Sequence, residues 1–157
     1  STGIAISANG EVTMAAQPAF HTKLSADVNQ VTGAGGVYTI LWGCEDFDQG
    51  GDLSGSTFTA PIAGRYHFSA SVTIQQAASG HTSGYLRIVA DCEGYEVDFH
   101  PYNNRAVGSN VGTQMLSSTV PMSACSTAIV TIAVAGSTDV VDVNGGVYTH
   151  WSGELVA

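Results

Sequence analysis

Gly55-Ser56-Thr57-Phe58-Thr59-Ala60-Pro61-Ile62-Ala63-Gly64-Arg65-Tyr66-His67-Phe68-Ser69-Ala70 sets two alternating runs on either side of a Pro-x-x-Gly corner. In the second run, Tyr66, Phe68, Ala70 and Val72 share one face, and Arg65, His67, Ser69 and Ser71 share the other. Successive side chains of a strand point to opposite sides of its sheet, so one face is apolar and one polar. Proline presets φ at a turn, and glycine takes up conformations closed to other residues. The stretch therefore reads as two antiparallel strands joined by a sharp turn.

The same reading extends along the chain. Ala19–Leu24, Val37–Trp42, Ser56–Ala60 and Arg65–Gln75 are predicted strands. Tyr85–Cys92 follows, with Leu86, Ile88 and Ala90 alternating against Arg87 and Asp91. Tyr95–Pro101, Thr113–Met122, the near-continuously apolar Thr127–Ala135, Val140–Val143 and Val147–Val156 complete the set. Asp46–Ser54 reads as a polar, acidic loop around Gly50-Gly51. Asn9-Gly10 between two short β-prone runs is a hairpin signal. No helix, internal repeat or low-complexity tract stands out. Regular strand spacing with turn signals favours a sandwich or jelly roll.

Composition agrees with an all-β domain. Of 157 residues, 44% are hydrophobic, 11% are charged and 19 are glycine. That balance is opposite to the one that keeps chains disordered, and the length suffices for a real core. The formal net charge of −9 would repel a phosphate backbone or an anionic membrane surface, which argues against nucleic acid as a partner. Neither a spanning apolar run nor a secretory signal is present. The chain opens at Ser1 without methionine, which reads as a processed form or a piece of a longer protein.

Four local patterns, in order, resemble the C1q/tumour-necrosis-factor-like jelly roll. Ala19-Phe20 is similar to the family's opening strand. Thr57–Phe68 is similar to its Gly-x-Phe-x-x-Pro-x-x-Gly-x-Tyr-x-Phe core, with Gly55 earlier than a tight match. Tyr85–Asp91 sits where the family has an apolar strand ending in a polar turn. Trp151-Ser152-Gly153-Glu154-Leu155 resembles the closing Phe-Ser-Gly-x-Leu strand, with Trp for Phe. Met122-Ser123-Ala124-Cys125 departs from the family's Gly-Asp turn. The lead-in Gly3–Phe20 is not a collagen stalk and is similar to that of C1q-like tips on bacteriophage tail or head fibres.

The resemblance implies a ten-stranded, two-sheet jelly-roll sandwich that forms a homotrimer. It implies a neck or hairpin over 1–18, linking to an upstream shaft, and a head over 19–157. Tyr38, Trp42, Tyr66, Tyr95, Phe99, Tyr148 and Trp151 are candidates for apolar surface shared between subunits, the alternative being that most fill the monomer's own core. The implied function is non-enzymatic: a receptor-binding or adhesive fibre tip in a virion, recognising a host cell-surface glycan or protein. Alternatives are a structural trimerisation cap, with other fibre proteins as partners, or a secreted, extracellular C1q-like recognition protein.

Candidate sites fall in loops, where a rigid scaffold carries recognition. Tyr102, Asn103, Asn104 and Arg105 combine an aromatic face, two amides and a cation, a set suited to sugars. His81, in the exposed candidate loop Gln75–Thr82, joins them. Asp46, Asp48 and Asp52, beside Glu45, form an oxygen-rich loop of the kind that suits calcium, without a strict calcium motif. A solvated acidic loop is the plainer reading. Asp139 and Asp142 are a weaker second calcium candidate. No nucleophile elbow of the Gly-x-Ser-x-Gly type occurs, and no base, nucleophile and oxyanion site converge. Cys44, Cys92 and Cys125 lack zinc spacing and read by default as buried thiols. In the C1q-like topology Tyr85–Cys92 runs beside Thr127–Ala135, which would bring Cys92 near Cys125 for a disulfide.

Overall fold

The computed structural model describes residues 3–104, 106 and 110–156. Fifteen strands are found among them and no helix. β1 (Ala5–Ile6) and β2 (Val12–Thr13) pair only with each other. The remaining strands form two sheets of six and seven strands. These are β3 (Ala19–Leu24), β4 (Val28–Thr32), β5 (Val37–Thr39), β6 (Cys44–Gln49), β7 (Leu53–Ser54), β8 (Thr57–Thr59), β9 (Gly64–Gln75), β10 (Ser83–Ala90), β11 (Glu93–Phe99), β12 (Val111–Met122), β13 (Thr127–Ala135), β14 (Val141–Val143) and β15 (Gly146–Leu155).

β9 is the axis of the larger sheet. Its whole length pairs with β12 on one side, from Met122↔Gly64 to Val111↔Gln75. Its other side pairs with β15 over Tyr66–Ser71 and with β14 at Ile74 and Gln75. β15 is followed by β3 and then β6 at the edge, while β14 carries β4. In the smaller sheet β13 is central. It pairs with β10, which carries β11, and on its free side with β5 and β8. The strand pattern read from the sequence is present throughout, with ends shifted by a few residues.

Three strands escaped the sequence reading. β6 overlaps what reads as an acidic loop, with four of its six residues exposed, and the two-residue β7 closes that stretch. β6 is an edge strand on β3, a position where charge blunts unwanted pairing and so does not mark a loop. β4 has its alternation broken by Gln30, which sits at φ 59°.

The two sheets close over one aromatic core. Tyr66, Phe68, Ala70 and Val72 are all fully buried. Phe20 stacks on Phe58 at 5.0 Å and meets Trp151 edge-on at 4.7 Å, while Trp42 lies 5.8 Å from Trp151. The Tyr66 hydroxyl donates to the Ile62 carbonyl at 2.8 Å and so closes the Pro61–Gly64 corner from inside. Gly153 lies under this cluster: a Cβ there would come within 2.5 Å of the Phe20 ring and 2.6 Å of the Phe68 ring.

The shared-surface expectation is corrected for most of its residues. Trp42, Tyr66, Phe99 and Trp151 belong to the core, and Tyr38 and Tyr95 pack against it. Tyr148 alone of that set is exposed, at 61%. Aromatic rings fill the space between two sheets about 10 Å apart, a demand that the sequence pattern cannot separate from an interface.

Candidate functional site

Two surfaces carry candidate function. The first is the outer face of the larger sheet. Ser117, Ser69, Ser152 and His21 lie side by side across β12, β9, β15 and β3, and Phe47 follows on β6. The next row sets Thr119, His67, Glu154 and Ala19 together. Small hydroxyl side chains line the middle of this tray, with hollows of about 160 Å³ beside Glu154 and about 240 Å³ beside His150. Met115, Phe47, Val147 and Tyr148 are exposed apolar residues on or beside it.

Three histidines share this face, each with its Nδ1 engaged. His67 Nδ1 lies 3.0 Å from Thr119 Oγ1, and His150 Nδ1 lies 3.1 Å from the Val147 carbonyl. His21 Nδ1 lies 2.7 Å from Asp46 Oδ2, whose other oxygen is 2.6 Å from Lys23 Nζ. The Lys23 hydrogen bond, followed by that of His21, holds the Asp46 carboxyl below the usual aspartate range, and Asp46 raises Lys23 in return. A depressed acid contributes stability above its unfolded value and loses it as pH falls through its folded value. A raised lysine contributes below its unfolded value and loses it as pH rises through its folded one. The cluster is therefore favourable between the two ranges. Lys23→Met is expected to move the Asp46 midpoint upward in an NMR titration; an unmoved midpoint would refute the pairing.

This pairing corrects the calcium expectation. Asp46 is committed to Lys23 and His21. Asp48 uses both oxygens on backbone amides, of Asp52 at 3.1 Å and Leu53 at 3.0 Å. Burial, then the Asp48 charge, pushes the Asp52 carboxyl up. Among the described residues, no group of three or more His, Cys, Asp or Glu side chains is placed to hold a metal ion.

The second surface is the loop end of the sandwich. It lies opposite the Met14–Pro18 connector, where Leu155 N donates to the Pro18 carbonyl and Val156 N to the Arg65 carbonyl. Tyr102 is half-buried there, and Asn103 and Asn104 are exposed in a turn whose amides bond back to His100. Arg105 lies outside the described residues. His81 is corrected as a ligand contact: it is fully buried. Its Nδ1 accepts from Ala78 N at 2.9 Å, which leaves the proton on Nε2 to donate to the Asp139 carbonyl at 2.9 Å. His81 thus ties two loops together from inside. A histidine in a polar loop gives no sequence signal that distinguishes this role from an exposed one.

Asp142 is the residue the sequence undervalued. It is 4% exposed and carries no salt bridge among the described residues. Its carboxylate accepts from Gln30 N at 2.8 Å and from the Gln76 side-chain amide. Gln30 and Gln76 are both left-handed, at φ 59° and 65°. That conformation costs a side-chain-bearing residue roughly 1–2 kcal/mol.

The expected Cys92–Cys125 disulfide is also corrected. The strand ends do meet, since Ala90 pairs with Ala128 and Asp91 accepts from Ser123 N. Nevertheless Cys44, Cys92 and Cys125 are all free, and all are exposed where buried thiols were expected. Cys92 and Cys125 occupy left-handed turn positions, which set their side chains independently of strand pairing. Native protein treated with iodoacetamide is expected to gain three adducts by mass spectrometry; a single adduct would restore the bridge.

The architecture can be set against known proteins. No protein-family model matches the sequence. No curated protein is detectably similar to it in sequence. Solved structures do match in fold. Murine APRIL at pH 8.5 superposes with a TM-score of 0.57 at 9% identity, over 89% of this chain and 99% of that one. The globular domain of zebrafish complement 1qA superposes with a TM-score of 0.52 at 13% identity, over 90% of this chain and 98% of that one. Strand order, sheet pairing and these superpositions together assign the chain the C1q/TNF-like jelly-roll fold.

Proposed function

We propose that the protein is a homotrimeric, non-enzymatic binding head, the receptor-binding or adhesive tip of a bacteriophage fibre that recognises a host cell-surface glycan or protein. The observation that carries the trimer is the outer face of the larger sheet. A serine-lined tray with Met115, Phe47, Val147 and Tyr148 exposed on or beside it suits a second protein surface better than solvent. The fibre reading rests on the lead-in sequence. Ile4, Ile6, Val12 and Met14 are exposed on the N-terminal hairpin, beside a groove of about 430 Å³ that Pro18, Ile62, Leu155 and Val156 help to line. We read 1–18 as the neck and 19–157 as the head, with recognition at the opposite, loop-bearing end.

The mechanism is avidity. Three weak sites on one head, and several heads on one particle, exceed the single-site affinity by about 10²–10⁴ without covalent chemistry. Light scattering at micromolar concentration is expected to report three subunits per particle. Labelled head is expected to decorate host bacteria. A solitary subunit would overturn the trimer, and a trimer that decorates no cells would favour a structural cap. That second reading draws on the same exposed hairpin. The extracellular alternative draws on the fold shared with APRIL and complement 1qA.

A further inference from the structure

The loop end holds a polar pocket of about 240 Å³ lined by Asn29, Gln30, Gln76, Val140 and Asp142. β9 runs from the connector end to this pocket over twelve residues. At ~3.3 Å per residue the pocket lies roughly 36 Å from the corner. Its walls come from β4, the end of β9 and the β13–β14 loop with β14, which are far apart in sequence. We propose that Asn29, Gln30, Gln76 and Asp142 form a binding site for one neutral sugar ring. The proposal rests on the recognition-head reading and names its contact point.

Asp142 is the organising group. A buried carboxylate without a cation is costly unless hydrogen bonds satisfy it, and two N–H groups do so here. By taking the Nε2 of Gln76, Asp142 turns that residue's Oε1 away from itself. Gln76 and Asn29 are exposed, so the pocket offers amide donors and acceptors together. Hydroxyl groups of a sugar need that mixture. Val140 is 39% exposed and supplies an apolar contact for the C–H face of a ring. An anionic ligand is disfavoured by Asp142 and by the net charge of −9. A hard cation wants six or more oxygens, whereas the Asp142 oxygens already accept N–H donors. The volume falls below the roughly 300–1,000 Å³ of drug-sized sites, which limits the occupant to about one ring.

Backbone strain supplies a clean variant. Gln30 and Gln76 keep side chains at positive φ, where glycine would sit without strain. Gln76→Gly removes the amide and its hydrogen bond to the buried Asp142 but relieves the backbone; the two effects oppose, so the variant is expected to fold with a Tm near that of the parent. The test is saturation-transfer NMR on the intact chain, with glucose, galactose, mannose, rhamnose and N-acetylglucosamine each at millimolar concentration. At least one sugar is expected to bind. Its Kd is expected to rise about tenfold or more in Gln76→Gly and in Asn29→Ala, the scale of one lost polar contact. Glu93→Gln, exposed in the hairpin at the other end, is expected to bind as the parent does.

Transfer to none of the sugars, or transfer that survives both variants, would overturn the site. So would calcium chloride shifting the pocket resonances while no sugar does, since that marks a cation site. Cell decoration separates the two proposals. Decoration unchanged in Gln76→Gly overturns the pocket and leaves the recognition head standing. A head that binds neither cells nor sugars overturns both.

Discussion

Phe68→Ala is expected to lower the unfolding free energy by about 3–5 kcal/mol, the range for truncating a buried phenylalanine. Phe68 is fully buried and touches four rings: Phe58 at 5.7 Å, Trp151 at 5.8 Å, Tyr66 at 6.2 Å and Phe20 at 6.4 Å. Those rings hold one another, so the cavity cannot collapse without dismantling the cluster. A typical domain has about 5–15 kcal/mol in total, so this one change removes a large share. Gly153→Ala approaches the same cluster from the opposite direction. Its Cβ would overlap Phe20 and Phe68, and overpacking costs about 1–3 kcal/mol. Urea unfolding at one fixed protein concentration checks both, because association also contributes to apparent stability. A loss below about 1 kcal/mol for Phe68→Ala would mean that the aromatic cluster is not the centre of the core.

Ser69→Arg is expected to turn the proposed trimer into monomers. Ser69 sits mid-sheet, with Ser117 on one side and Ser152 on the other. An arginine would stand above its two serine neighbours, whose side chains end in hydroxyl groups. Three copies of it would converge where the proposed subunits meet. Like-charge juxtaposition at an interface costs several kcal/mol, so association should weaken by about a thousandfold or more. Decoration of cells should fall with it through lost avidity, while each monomer keeps its own site. Ser83→Arg, exposed on the smaller sheet, is expected to leave the trimer intact. Light scattering of the two variants decides the matter: a Ser69→Arg protein that remains trimeric would show that subunits meet elsewhere.

Several features were legible because they are local. The Pro61–Gly64 corner, the inward Tyr66, Phe68, Ala70 and Val72, and the apolar β13 all follow from turn chemistry and a period of two. The pairing of β10 beside β13 followed from topology once the resemblance was drawn. The candidate sites were less legible. The carboxylates read as an oxygen-rich loop point to different partners, on β3 and on the Asp52–Leu53 amides. His81, read as exposed, is buried and hydrogen-bonded to Ala78 and Asp139. Asp142 meets the Gln30 amide across 112 residues, and no short-range pattern encodes such a meeting.

The order of apolar and polar residues by itself determined that this chain makes strands and, for its long alternating strands, where they turn and which side faces inward, since these depend on neighbours one to four places away. Tertiary structure alone decided how each polar group is used. A carboxylate, imidazole or thiol of the same type becomes an internal tie, an edge charge or a presented contact according to which distant N–H and C=O groups the folded sheets bring within about 3 Å.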